Sequence, residues 1–146
     1  MKVQGRILGI DFGTRRMGIS VSDPLQIIAQ SLLTLENNAT ILQAIREIVE
    51  REAVGLIVVG MPFNLKGNKG SKAREVDKFI RQLEEAIPVT VVRWDERFTS
   101  SLAHDTMIRM GTKRKERRED RGRIDAMAAA IMLQGFLDSQ KRSLGG

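Results

Sequence analysis

The chain has 146 residues, enough for one domain, and 42% of them are hydrophobic, enough to fill a single core. It has no cysteine, no tyrosine and one histidine, His104, which excludes disulfides, thiolate or histidine-rich metal sites, and a Cys or Tyr nucleophile. A formal charge of +6 and a pI of about 10.2 favour an anionic partner, of which nucleic acid is the commonest. No stretch reads as a signal peptide or reaches the ~18 apolar residues of a membrane span, so a cytoplasmic protein without membrane contact is expected.

Residues 6–11 and 17–22 are apolar runs separated by "FGTRR", a hairpin-length connection in which Gly13 is available for positive φ. A third run, Ala29–Leu33, follows the Asp23–Pro24 turn and completes an antiparallel meander. From Ala39 the period changes: Ile41, Leu42, Ile45, Ile48 and Val49 make a helical stripe with Asn38 as N-cap. "GLIVVG" (55–60) reads as a strand covered on both faces. Val76, Phe79, Ile80 and Leu83 form a second stripe stopped by Pro88, and "PVTVVRW" (88–94) is another strand. A helix is expected over 100–110, capped by Thr99 and stopped by Gly111. The run 112–123, "TKRKERREDRGR", holds seven Lys/Arg, three acids and no apolar residue, and is expected to be mobile. An apolar helix over 124–137 follows. The domain is expected to span 1–138, with 139–146 as a flexible tail. This order implies an α/β fold with a mixed five-stranded sheet and helices on both faces.

Three acids stand where a merely solvated charge is not expected. Asp11 ends the first strand run, Glu96 lies just beyond the strand 88–94, and sites in open α/β sheets lie outside such strand ends. Asp125 shares a helical face with Ala128, Ala129 and Met132, where an ionised carboxylate must be paired or bound to a metal. Each acid also has an ordinary role open to it. Asp11 could accept hydrogen bonds from the turn at Gly13, Asp125 could sit at the positive end of its helix, and Glu96 could pair with Arg97 in solvent. Taken together, an acid-only set suits a hard divalent cation, Mg²⁺ or Mn²⁺. Two such ions, roughly 3.5–4 Å apart, clamp a phosphodiester and need no protein nucleophile.

Four motifs in this order give the chain a resemblance to a known family. "GIDFGTRRMGIS" carries Asp11, Gly13, Arg16 and Gly18; "VVGMPFNLKGNKG" follows the strand at 55–60; "DERFTS" carries Glu96, Arg97 and Thr99; "RIDAMAA" sets Asp125 before paired alanines. From Arg6 to Phe136 the chain resembles the YqgF-like family of ribonuclease H-fold nucleases, described both as Holliday junction resolvases and as pre-16S rRNA processing nucleases. Departures from the family pattern are Ser20 for a small apolar residue, Phe98 for Leu and Ser100 for Thr. The resemblance implies a ribonuclease H-like fold with Asp11, Glu96 and Asp125 as catalytic, metal-binding acids. Asp11 would stand on the central strand and Glu96 at the end of a neighbouring one.

Cations and a hydroxyl around those acids are candidates for substrate binding: Arg16, Arg97 and the Thr99 hydroxyl in the motifs, and Lys66 and Lys69 in the glycine-rich loop. Lys113 and Arg114 in the basic run join them. With five Phe and one Trp, stacking platforms for single-stranded bases are scarce. Met107, Met110, Met127 and Met132 read as core, and His104 as structural. The expected partner is structured RNA, such as pre-rRNA or the ribosome, or a four-way DNA junction, engaged by a monomer or a homodimer. Two other classes compete. "GIDFGT" also resembles the phosphate loop of actin- and Hsp70-like ATPases, although those enclose nucleotide between two such domains. A non-catalytic scaffold on rRNA is the second.

Overall fold

The computed structural model describes residues 4–62, 70–96 and 118–145, with the backbone alone at 118–122 and 142–145. Strands β1 (Arg6–Asp11), β2 (Arg16–Ser22) and β3 (Ala29–Glu36) are followed by helix α1 (Ile41–Arg51). Then come β4 (Val54–Met61), α2 (Ser71–Ala86), β5 (Thr90–Asp95) and α3 (Arg118–Gly145). The sheet order is β3-β2-β1-β4-β5. β1 pairs antiparallel with β2 and β2 with β3, while β1–β4 and β4–β5 are parallel. This is the mixed five-stranded sheet that the patterning implies.

β1 is central, and its alternate residues serve two different cores. Leu8 and Ile10 join Met17, Ile19, Val21, Ile57, Val59 and Met61 under α1 and α2, whose stripes Ile41, Ile45, Ile48 and Val76, Phe79, Ile80, Leu83 are buried there. On the other face Ile7, Leu56 and Val58 pack against Met132, Leu133, Phe136 and Leu137 of α3. The burial of both faces explains why β1 and β4 read as continuous apolar runs.

Local details depart from the sequence reading at several places. Positive φ occurs at Gly5, Gln26 and Ala53 but not at Gly13, whose missing Cβ instead admits the carbonyl of Arg16. Thr40, not Asn38, is the N-cap of α1. Asn38 Oδ1 accepts from the Thr40 amide at 2.9 Å, turning the chain just before the helix. β3 continues to Glu36. The last helix begins at Arg118, inside the charged run, and its backbone continues to Gly145, so 118–123 is helix rather than loop. The helix expected over 100–110, with Thr99, His104, Met107 and Met110, lies outside the described residues. The β2–β3 turn is held by Asp23, whose Oδ1 accepts from the amides of Ile27 (2.7 Å) and Ile28 (2.8 Å). Those bonds hold its carboxyl below the usual range. No helix among the described residues is long and apolar enough to cross a membrane.

Candidate active site

The alternation that turns Leu8 and Ile10 toward α1 and α2 turns Ile7, Gly9 and Asp11 toward α3. Asp11 therefore leaves the sheet on the α3 face, at the carboxyl end of the central strand. Glu96 follows β5 and reaches the same place: its carboxyl shares a side-chain hydrogen bond with Asp11. β4 lies between the two strands, so Glu96 stands two strands away rather than on a neighbouring one. Gly60 makes the crossing possible. A Cβ there would lie 2.7 Å from Glu96 Oε1 and 3.0 Å from its Cγ, so the Glu96 side chain runs across β4 in the space the glycine leaves.

Burial, then the hydrogen bond and negative charge of Glu96, push the Asp11 carboxyl up to about 8, and Asp125 adds a smaller repulsion. Buried against a second acid and without a cation, Asp11 therefore keeps its proton through neutral pH. Lys72, in the first turn of α2, pulls the other way. Residue type alone does not distinguish this lysine from the other cations of the chain; its one local signal is its position just past Gly70, the N-cap of α2.

Asp125 is placed by the contact of α3 with the sheet. A Cβ on Gly18 would run into the backbone carbonyl of Asp125, and Ser20 Oγ donates to the carbonyl of Ala129 at 2.9 Å, with Gly9 O at 3.3 Å as a second acceptor. Ser20, one of the departures from the family pattern, is fully buried and is a fastening point of α3 on β2. Asp125 lies well inside the helix, so the role at its positive end falls away. Its carboxylate is instead paired with Arg16, Nε to Oδ2 at 2.6 Å, with side-chain exposures of 38% and 28%. At that exposure the pair is worth only about 0–1 kcal/mol.

Asp11 and Glu96 are thus in contact, and Asp125 is within electrostatic range but turned to Arg16. Among the described residues no group of three acids or histidines is close enough to hold a metal ion. The donor set of the Asp11–Glu96 pair, oxygen only and short of a positive charge, still fits a hard divalent cation. A cleft of about 330 Å³, lined by none of the three acids, opens between β3 and α3 among Ser31, Leu33, Thr34, Arg123, Ala126 and Met127. Of the other expected site residues, Lys66, Lys69, Arg97, Thr99, Lys113 and Arg114 lie outside the described residues.

An antiparallel meander extended by two parallel strands, with acids gathered at the end of the central strand, defines the ribonuclease H-like class of α/β proteins. Solved structures share the architecture. Thermus thermophilus RuvC in complex with Holliday junction substrate has a TM-score of 0.56 at 17% identity, covering 92% of this chain and 96% of that one. The fowlpox virus Holliday junction resolvase has 0.53 at 10%, covering 92% and 99%. At such identities the likeness speaks for the fold alone. The family follows from sequence: the chain belongs to the RuvX family, described as Holliday junction resolvase, whose model matches residues 5–139. A relative from Koribacter versatilis is 42% identical over 138 residues, 93% of this chain and 88% of its own length. One from Parabacteroides distasonis is 38% identical over 141 residues, covering 96% and 99%. Both carry the provisional name pre-16S rRNA nuclease. The resemblance seen in the four motifs is therefore a family membership.

Proposed function

We propose that this protein is an endonuclease that hydrolyses phosphodiester bonds in structured nucleic acid with Mg²⁺ or Mn²⁺, acting in the cytoplasm on the 5′ end of precursor 16S rRNA. The observation that carries the reading is the contact between Asp11 and Glu96, two carboxyls from strands that are not adjacent, brought together over Gly60. An acid so costly to ionise beside a second one has an evident use if a cation replaces the proton on Asp11. Asp11, Glu96 and Asp125 would hold two ions with substrate bound. Such ions supply an activated water and charge compensation at the leaving oxygen. Arg16 and Lys72 add positive charge at the edge of the site, where phosphate oxygens would be bound. Lys66, Lys69, Arg97, Thr99, Lys113 and Arg114 extend this surface in the proposal, gripping the backbone without reading bases.

A second reading, resolution of four-way DNA junctions, is favoured by the description of the family model. It requires two coordinated cuts and hence a homodimer, whereas trimming an rRNA precursor needs one site and suits a monomer. A cleavage assay offering precursor 16S rRNA and a four-way junction side by side, with Mg²⁺ and Mn²⁺ varied and Asp11→Asn as control, separates the readings. Metal-dependent shortening of the RNA, abolished by Asp11→Asn, is expected. Symmetric nicking of the junction alone would transfer the assignment to the second reading. Salt-sensitive binding without cleavage of either would leave a scaffold on RNA and end the nuclease proposal.

A further inference from the structure

In its present arrangement the third acid does not serve the pair. Asp125 is bound to Arg16 at 2.6 Å, and the two residues are 109 positions apart in sequence, so their pairing is a product of the fold. Helix α3 has little freedom to shift relative to β2, because Gly18 abuts the Asp125 carbonyl and Ser20 bonds the Ala129 carbonyl. The partly exposed side chains of Asp125 and Arg16 are left to swing. The pair is also partly exposed on both sides, so its partners can be exchanged without opening the core. A guanidinium that meets a carboxylate through Nε keeps its remaining N–H donors for another anion, and a phosphodiester matches the same fork geometry.

We infer that Arg16 is a positioning residue that holds Asp125 away from the Asp11–Glu96 pair until a backbone phosphate of the nucleic acid takes its guanidinium, so that the three acids assemble only on substrate. The inference rests on the metal-dependent nuclease reading. It adds that this site is incomplete by construction in the free protein, which limits idle metal loading and stray cleavage. Charge accounts for the direction of the exchange. With Arg16 on Asp125 that acid is neutralised; with Arg16 on phosphate, three carboxylates face one another and draw the cation in.

The test measures Mn²⁺ affinity of the free protein by electron paramagnetic resonance, without substrate, on the full chain and on variants whose thermal melts show them folded. Asp11→Asn is expected to abolish binding and Asp125→Asn to change it less than about twofold, because Asp125 is already engaged. Arg16→Gln is expected to tighten Mn²⁺ about three- to fivefold, the most a pair of this exposure can hold back, and the gain to vanish in Arg16→Gln/Asp125→Asn. A second arm follows the Arg16 Nε–H resonance in EDTA, where no cleavage occurs: duplex RNA should move it in the native chain, toward the position it has in Asp125→Asn plus RNA. Arg16→Gln that binds Mn²⁺ no better than the native chain, or an Arg16 resonance unmoved by saturating RNA, would overturn the latch while Asp11-dependent binding kept the nuclease reading intact. Absence of Mn²⁺ binding in every variant would overturn both.

Discussion

The two faces of the sheet are built on opposite rules. Toward α1 and α2 the sheet presents Leu8, Ile10, Met17, Ile19, Ile57 and Val59, large side chains that hold the helices off at ordinary packing distance. Toward α3 the sheet also buries Ile7, Leu56 and Val58, but beside them the central strands present Gly9, Gly18, Ser20 and Gly60: the helix backbone comes down on Gly18 and Ser20, the Leu133 side chain covers Gly9, and Glu96 crosses Gly60. The first face supplies stability through apolar area. The second spends side-chain volume to gain placement: one glycine fixes the Asp125 backbone and another lets Glu96 reach Asp11. A site that must place carboxylates closely needs backbone contact, since side chains packed on side chains can repack.

Removing an acid should separate the faces most sharply. Asp11→Asn is expected to lower Mn²⁺-dependent cleavage by at least about 10³-fold. The same variant should be more stable, and the pH dependence has a definite sign. The folded state holds the Asp11 proton up to about pH 8, whereas the unfolded chain releases it near 3.8. Folding therefore carries no penalty from this group below pH 3.8, a growing one as pH rises toward 8, and a constant one above. In EDTA, Asp11→Asn should melt several degrees above the native chain at pH 8, with the difference fading toward pH 4. A difference that grew on acidification would contradict the raised carboxyl of Asp11.

Gly60→Ala tests placement alone. The added Cβ meets the flexible end of Glu96, which can move aside, so cleavage should fall about 10–100-fold with little change in urea midpoint. Gly18→Ala meets backbone instead. It should cost about 1–3 kcal/mol in urea unfolding, because α3 must lift from β2. On the opposite face, Ile80→Val should cost about 1 kcal/mol and leave cleavage per folded molecule unchanged, although Ile80 is fully buried. If Ile80→Val lost as much activity as Gly60→Ala, the division between the faces would be wrong.

Much of the fold was legible in the sequence, because the signals that mark it are local. Val54–Met61 shows as an unbroken apolar run, and α1 and α2 show by their stripes. Boundaries were less legible where polar residues carry the element. The first turns of α3 are charged, and a helix whose stability comes from tertiary contact further along has no local reason to announce its start. The site was legible only as residue types. Asp11 and Glu96 could be picked out as acids at strand ends. That Glu96 crosses β4, that Lys72 bears on Asp11, and that Asp125 is held by Arg16 depend on strands and helices meeting from distant parts of the chain.

The sequence by itself determined the order of the described elements, the two-sided burial of the central strands, and the absence of any Cys or Tyr from the chain. Each follows from residue type and period, which act within a few neighbours. The tertiary structure decided which carboxyl touches which, which cation neutralises the third, and where a glycine is a passage rather than a turn. Those outcomes depend on strand order and on how closely a helix approaches a sheet. Both are set by the packing of side chains that lie far apart in the chain.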